Sequence, residues 1–218
     1  MTQLNAYIDI ETIPGDRDNL ELIPPKNYKD PEKIAQWKQE NEEAVYRKQS
    51  LNSNKGKILC ISVAYNEEAP TCFMSDDEED ILKSFLASLK EAKKTYSMQS
   101  VDSQYLQPTF VGHNIKTFDL QWIWRHSLKY GLHELSAMIP RDRYSPYIAD
   151  TLELWAGPDY RDMTSLSDIL SFFGLAGKDE MDGSMVYDEY LSGNLDKIEK
   201  YCNDDVVKVR EIYKLINP

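Results

Sequence analysis

Apolar and polar residues alternate near the start of the chain, over residues 4–11. Successive side chains of a β-strand point to opposite faces, so this alternation predicts a strand with one buried face. The apolar face comprises Leu4, Ala6, Ile8 and Ile10, and the other face comprises Asn5, Tyr7, Asp9 and Glu11. The acids Asp9 and Glu11 therefore share one face, with their backbones roughly 6–7 Å apart.

The pattern further along the chain predicts two more strands and then an alternation of strands and helices. Strands are expected at residues 57–65, 70–74, 109–111 and 147–149. Helices are expected from Pro31, with Asp30 as the N-cap, and at residues 75–94, 118–130, 164–173 and 194–216. This succession predicts an α/β domain in which helices flank a mixed sheet.

Residues 15–56 form a long interruption between the first two predicted strands. The segment contains the helix that begins at Pro31, and it is highly charged around residues 42–48. Interruptions of this length are usually functional or mobile, and a solvated surface excursion is the alternative. We therefore predict one domain spanning residues 1–218, with a partly helical insertion at about 15–56.

Composition limits the classes of protein to which the chain can belong. Its 218 residues are 41% hydrophobic and 28% charged, which is typical of a globular protein, and neither a signal peptide nor a membrane-spanning run is recognisable. Three cysteines without a CxxC pair argue against disulfides and a zinc site, so a reducing, cytoplasmic location is expected. The net charge of −12 excludes a general nucleic-acid coat protein, but not an enzyme that binds nucleic acid through metal ions.

Acids occur at three further places, and two of them do not match their surroundings. The acidic run at 75–80 is explained as the N-terminal cap of the second helix. Asp119 follows the Gly112-His113-Asn114 stretch, in the first turn of a predicted helix after a strand. Asp205 lies beside the apolar stripe of the last helix, four residues after Tyr201, and no lysine occupies position i−4 or i+4.

Each of these acids taken singly also fits a solvated strand end, a helix N-terminus or an exposed helix face. Taken together, the acids of the first strand, the middle loop and the last helix can converge on one end of the sheet. Four such carboxylates could bind two Mg²⁺ or Mn²⁺ ions about 3.5–4 Å apart, the spacing used for in-line phosphoryl displacement.

The order of these motifs resembles a known family. The pattern Asp9-x-Glu11, then Asn114-x-x-x-Phe118-Asp119, then Tyr201-x-x-x-Asp205 resembles the three motifs of the DEDD exonucleases, which have a DnaQ-like, ribonuclease H-like fold. Tyr201 resembles the tyrosine (DEDDy) branch, since Lys200 stands where the other branch has histidine. The likeness extends over nearly the whole chain and is closest to predicted 3′–5′ exonucleases related to the proofreading domain of family-B DNA polymerases.

This resemblance implies a ribonuclease H-like sheet of five or six strands and a two-metal hydrolysis mechanism. It implies that Asp9, Glu11, Asp119 and Asp205 bind two divalent ions, Mg²⁺ or Mn²⁺, and that Tyr201 orients the attacking water. The implied substrate is the 3′ end of single-stranded DNA, and the products are nucleoside 5′-monophosphates. The implied or candidate substrate contacts are Thr12, Ile13, His113, Asn114, Phe118 and Lys178.

Several alternatives remain open from the sequence. A 3′–5′ exoribonuclease would differ through contacts with the 2′-hydroxyl, which no motif here reveals. A catalytically silent nucleic-acid-binding module could serve a DNA polymerase or another replication and repair complex. An acidic α/β domain of unrelated function would require the ordered motifs to be a coincidence. No membrane partner is expected.

Overall fold

The strands form one mixed sheet in the computed structural model, which describes residues 3–98, 106–159, 161–175 and 181–217. The five strands are β1 (Leu4–Ile13), β2 (Lys57–Tyr65), β3 (Thr71–Met74), β4 (Pro108–Gly112) and β5 (Ile148–Asp150), in the spatial order β3-β2-β1-β4-β5. β1 pairs antiparallel with β2 and parallel with β4. The α/β fold with a mixed sheet, predicted from the sequence, is confirmed.

The helices lie in two layers, one on each face of the sheet. Their bounds are α1 (Pro31–Arg47), α2 (Glu78–Ser97), α3 (Asp119–Lys129), α4 (His133–Met138), α5 (Thr151–Ala156), α6 (Leu166–Phe172), α7 (Val186–Leu191) and α8 (Leu195–Ile216). Short 3₁₀ helices occupy Arg17–Asn19, Lys48–Leu51 and Gly183–Met185. No helix in the described part of the chain combines the length and apolar character that crossing a bilayer requires.

The alternation in β1 sets which helices cover which face. The apolar side of β1, including Ile8 and Ile10, packs with Phe85 of α2 and Ile123 of α3 in the main core. On the other side, Tyr7 packs with α8 residues such as Val206. Asp9 and Glu11 belong to this second side, so they lie beneath α8 rather than in solvent.

The long predicted elements are confirmed, with small shifts at their ends, and three short helices were missed. The capping prediction for Asp30 is confirmed, because its side chain accepts a hydrogen bond from the Glu32 amide at 3.0 Å. The helices α4, α5 and α7 have six residues each, which is too short for a helical hydrophobic period to be visible. Residues 96–107, whose polar sequence without periodicity predicts a loop, lie mostly outside the described residues.

The segment between β1 and β2 is attached to the rest of the molecule at several points. The Tyr46 hydroxyl donates to the Gly15 carbonyl at 3.0 Å, and the Tyr46 ring meets Tyr187 of α7 edge-on at 6.0 Å. Arg47 forms an ion pair with Asp188 of α7 at 2.7 Å. Helix α1 of this segment therefore ends against α7, close to the end of β1.

Candidate active site

The acid pair of β1 lies in the interior, beneath α8. In the β1–β2 ladder Asp9 is opposite Ser62 and Glu11 is opposite Cys60. The Cys202 thiol of α8 donates to the Asp9 carboxylate at 3.4 Å, and Glu11 is only 8% exposed. Glu11 is therefore largely removed from bulk water, and Asp9 is half-buried beneath the same helix.

Asp119 is brought to the same place by the first turn of α3. Its Oδ1 accepts a hydrogen bond from the Ile10 amide at 3.1 Å, between the two acids of β1. This amide is available because β4 pairs with β1 only as far as Tyr7. Asp119 is 4% exposed, so it is an interior carboxylate rather than a solvated helix cap.

The fourth acid, Asp205, comes from α8 together with Tyr201 one turn earlier. The Tyr201 hydroxyl hydrogen-bonds Asp205, and the ammonium of Lys208 lies 2.7 Å from an Asp205 oxygen. This ion pair corrects the sequence analysis, which found no lysine partner because it considered positions i−4 and i+4. Lys208 is at i+3, which also faces Asp205 on a helix.

Burial and mutual repulsion act on the protonation of these groups. Burial raises the pKa of Asp9, and the carboxylates of Glu11, Asp119 and Asp205 raise it further. The pKa of Glu11 rises for the same reasons, and burial raises that of Asp119 to about 8. Burial and the neighbouring acids also raise the pKa of Tyr201, so its phenol stays protonated. Without additional cations this site is electrostatically unfavourable for four ionised carboxylates.

The loop after β4 is held by Asp150 at the end of β5. Asp150 accepts backbone hydrogen bonds from Asn114 at 2.9 Å and from Lys116 at 3.1 Å, and it caps α5 through the Leu152 amide at 3.1 Å. Asn114 adopts a positive φ of 60°, a conformation that side chains rarely take. Asp150 therefore caps α5 and at the same time fixes the backbone of the loop after β4.

His113 and Phe118 flank this loop in different ways. The two ring nitrogens of His113 lie 3.0 Å from the Thr151 hydroxyl and 3.2 Å from the Thr164 carbonyl, and burial lowers the pKa of His113. Its ring is therefore neutral and engaged with the protein. Phe118 is half-buried and packs against Trp122, with ring centroids 5.7 Å apart.

The remaining candidate contacts are distributed around the end of β1. The Thr12 hydroxyl donates to the Ser50 carbonyl at 2.6 Å, and Ile13 packs with Leu59 and Val186. Lys178 lies outside the described residues. Lys116, which a basic groove could have used, is instead ion-paired with Glu153 at 2.6 Å.

Two features of the interior were missed in the sequence. The thiol sulfurs of Cys60, Cys72 and Cys202 all lie within 4.8 Å of one another, although the sequence spacing argued against a shared cysteine site. Glu78, which the sequence analysis read as part of a helix cap, is only 5% exposed and pairs with His126. Both features join distant parts of the chain, so no local motif announces them.

Comparison with solved structures supports the class of fold. The chain is similar to the family B DNA polymerase from the hyperthermophilic archaeon Pyrobaculum calidifontis, with a TM-score of 0.60 and 13% identity. The similarity covers 99% of this chain and 25% of that polymerase, so the chain spans about a quarter of the polymerase's length. At this identity the match shows the fold alone, an α/β fold of the ribonuclease H-like type.

The family is shown by sequence. Residues 58–215 match the family described as a predicted 3′–5′ exonuclease related to the exonuclease domain of PolB, and the chain belongs to this family. The match begins at β2, so Asp9 and Glu11 lie outside it. A comparison with curated proteins gave no match. The resemblance inferred from the motifs is thus confirmed at the level of the family, whose members are described as predicted 3′–5′ exonucleases.

Proposed function

We propose that this protein is a metal-dependent 3′–5′ exonuclease that shortens single-stranded DNA from its 3′ end and releases nucleoside 5′-monophosphates. The observation that carries the proposal is the gathering of four interior acids from β1, α3 and α8, three of which have raised pKa values. Membership of a 3′–5′ exonuclease family related to PolB supports DNA as the substrate.

The donor set fits two hard divalent cations. Carboxylate oxygens are the ligands that Mg²⁺ and Mn²⁺ prefer, and two such ions would offset the repulsion among Asp9, Glu11, Asp119 and Asp205. When bound, the pair of ions would lower the pKa of the attacking water and stabilise the leaving 3′ oxygen. The Cys202 thiol and the Ile10 amide hold Asp9 and Asp119 in position for this role.

Tyr201 and Lys208 act on the same end of the site. A protonated phenol is a poor base but a good hydrogen-bond partner, so we assign Tyr201 to orienting the attacking water. Lys208 stabilises the ionised form of Asp205 and neutralises part of the charge that a phosphodiester would meet.

The 3′-terminal nucleotide would contact main-chain groups at Thr12 and Ile13. The β1 edge beyond Tyr7 supports this role, because β4 does not continue along it. Phe118 offers a half-buried ring for stacking, and Asn114 would contact the next sugar or base. We assign His113 to positioning this loop, since both its nitrogens are engaged, and we retain Lys178 as a phosphate contact.

The proposal also covers the wider organisation of the chain. We retain one exonuclease domain over residues 1–218 with an insertion at about 15–56, a cytoplasmic location, and a DNA polymerase or replication complex as partner. The attachment of α1 to α7, beside the end of β1, supports a role for the insertion near the substrate.

The test is a digestion assay on 5′-labelled single-stranded DNA and its RNA twin. Wild-type protein with Mg²⁺ or Mn²⁺ should give a ladder shortening from the 3′ end, and EDTA should abolish it. Asp9→Asn should lower the rate more than about 100-fold, since even loss of an outer-shell partner of a metal site costs 10–100-fold. Asp204→Asn is the matched control, because Asp204 lies on α8 but pairs with Lys200 at the surface.

Three outcomes would contradict parts of the proposal. Faster digestion of RNA than of DNA would contradict the assignment of DNA as the substrate, but not the 3′–5′ exonuclease reaction. Equal activity of Asp9→Asn and wild type would overturn the site. The absence of a ladder on either strand with either metal would favour the silent binding module.

A further inference from the structure

Three cysteines that are far apart in sequence meet next to the candidate active site. Cys60 and Cys202 are fully buried, Cys72 is half-buried, and their sulfur atoms lie within 4.8 Å of one another. In the proposed reaction none of these thiols is a ligand or an acid. The cluster therefore needs an explanation of its own.

The sheet register explains how the thiols come together. Cys60 of β2 is opposite Glu11, and Cys72 of β3 is opposite Ser62, so both side chains point to the face that α8 covers. The hydroxyl of Ser62 hydrogen-bonds the side chain of Asn203 on α8, which holds the helix over this part of the sheet. Cys202, next to Asn203 on α8, then brings the third thiol to Cys60 and Cys72.

The backbone geometry disfavours a disulfide between the two cysteines of the sheet, Cys60 and Cys72. Cys60 and Cys72 are diagonal neighbours in an antiparallel pair, and such residues have Cα atoms roughly 7–8 Å apart. A disulfide requires Cα atoms about 4.4–6.8 Å apart, so these two residues are poorly placed to form one. Three sulfurs around one zinc-like ion, with metal–sulfur bonds of about 2.3 Å, would instead be roughly 4 Å apart. The observed cluster is close to this size.

We propose that Cys60, Cys72 and Cys202 form a binding site for one thiophilic divalent cation of the zinc class, next to the two-metal site. Cysteine sulfur is a soft ligand that selects such ions over Mg²⁺ or Mn²⁺, and three cysteines leave one position of a tetrahedral ion open. Binding releases the thiol protons. The half-buried Cys72 gives the ion a route from the surface.

The location of the site gives this ion a consequence. Asp9, Glu11 and Cys202 form a second group of ligand atoms within 4.8 Å of one another. Cys202 therefore belongs to both groups, and the thiol site adjoins the carboxylate site. A carboxylate of Asp9 or Glu11 is the available fourth ligand. An ion held in this way withdraws that carboxylate from Mg²⁺ or Mn²⁺ and inhibits hydrolysis, a step that rests on the proposed function.

The first experiment measures binding without measuring activity. Reduced full-length protein is titrated with Cd²⁺, in excess Mg²⁺, and the ultraviolet sulfur-to-cadmium charge-transfer band is recorded. Wild type should bind one Cd²⁺ per chain, and Zn²⁺ should displace it. Cys72→Ser should weaken binding at least about tenfold, and Cys202→Ser should do the same. Thr71→Ser, next to Cys72 but on the exposed side of β3, is the matched control and should bind like wild type.

The second experiment adds digestion of labelled DNA. Zn²⁺ in the presence of excess Mg²⁺ should inhibit wild type, and Cys72→Ser should need at least about tenfold more Zn²⁺. A thiolate band in a protein without exonuclease activity would support the cation site and contradict only the proposed function. Cd²⁺ binding without a thiolate band, or binding to Cys72→Ser and Cys202→Ser as strong as to wild type, would overturn the cation site. Equal inhibition of all variants by Zn²⁺ would overturn the link to hydrolysis.

Discussion

Glu78 and the four-acid site are both interior carboxylate groups, but they differ in what surrounds them. Glu78 accepts hydrogen bonds from the Ile58 amide at 2.6 Å and from Lys129 and Tyr130 at 3.0 and 2.8 Å. His126 Nδ1 lies 2.6 Å from Oε1, the oxygen that also accepts from Ile58, so both carboxylate oxygens have partners within the protein. Burial alone would raise the pKa of Glu78, but these partners outweigh it and lower the pKa to about 2.

Three of the four acids of the candidate active site show the opposite response. Glu11 and Asp119 are nearly as little exposed as Glu78 and Asp9 is half-buried, but the charged groups that act on them are other acids, and their pKa values rise. Burial of a carboxylate therefore does not by itself indicate function. A carboxylate that the protein satisfies internally stabilises the fold, and carboxylates left in mutual repulsion indicate that a cation is bound from outside.

The largest expected effect concerns Glu78, the buried carboxylate whose partners lie within the protein. Glu78→Gln should lower the free energy of unfolding by about 3 kcal/mol, because it removes the counter-charge of the Lys129 ammonium and disturbs the carboxylate contact of buried His126. Urea denaturation measures this change. Glu79→Gln changes a half-buried neighbour that pairs with Lys83, and this control should change stability little. If Glu78→Gln lowered the free energy of unfolding by less than about 1 kcal/mol, the distinction between Glu78 and the active-site acids would be contradicted.

The next largest effect concerns the candidate active site, where the carboxylates repel one another. Glu11→Gln should lower kcat/KM on single-stranded DNA more than about 100-fold, because it removes a metal ligand. In EDTA its free energy of unfolding should stay the same or rise, since one of four repelling charges is gone. Parallel kinetics and urea denaturation measure both quantities. A large loss of stability in Glu11→Gln would show that this acid is structural, like Glu78.

The two groups should also respond to pH in different windows. The raised pKa of Asp119, from 3.8 to about 8, means that the folded protein binds more protons than the unfolded chain between these values. In EDTA, stability should therefore fall by at least about 1 kcal/mol as pH rises from about 5 to about 8. Glu78 contributes a constant amount there and loses its contribution only as pH falls below 4.5 towards about 2.

Urea denaturation at a series of pH values measures this difference. Asp119→Asn should flatten the decline between about pH 5 and about pH 8, and Mg²⁺ should reduce it in wild type because bound cations favour the ionised carboxylates. A stability that rises with pH across this window, in EDTA, would contradict the repulsion argument.

The smallest expected effect concerns two tyrosines, one beside Glu78 and one beside Asp205. Tyr130 donates to Glu78, and Tyr201 hydrogen-bonds Asp205. Tyr130→Phe should lower the free energy of unfolding by about 1 kcal/mol and leave kcat unchanged, whereas Tyr201→Phe should lower kcat about tenfold, with a smaller effect on stability. Denaturation and single-turnover digestion measure the two outcomes. Identical profiles for the two variants would remove the functional distinction between the tyrosines.

The long elements were predictable because their residues repeat with a period. The alternation in β1 and the apolar stripe of α8 gave both the elements and the faces on which Asp9, Glu11, Tyr201 and Asp205 lie. The motif order and the family resemblance then predicted that these acids belong together. That they bind metal, and which nucleic acid they cleave, remain proposals.

Contacts between elements were not predictable in the same way. Glu78 was read as a cap because Asp77 and Glu79 at the same helix start do belong to one, with the Glu79 amide donating to Asp77 at 2.9 Å. Only the placement of α3 beside α2 brings His126 to Glu78. Lys208 was overlooked at i+3, although the helical period could have found it.

The sequence by itself determined the α/β class, the long strands and helices, and the four acids with their tyrosine, because these depend on local periodicity and on ordered motifs. Only the tertiary structure decided which buried acids are satisfied and which repel one another, and only it brought Cys60, Cys72 and Cys202 together. The physical reason is that a pKa, an ion pair or a shared ligand site depends on atoms a few ångströms apart. Their positions are set by strand register and helix packing, which bring together residues from distant parts of the chain.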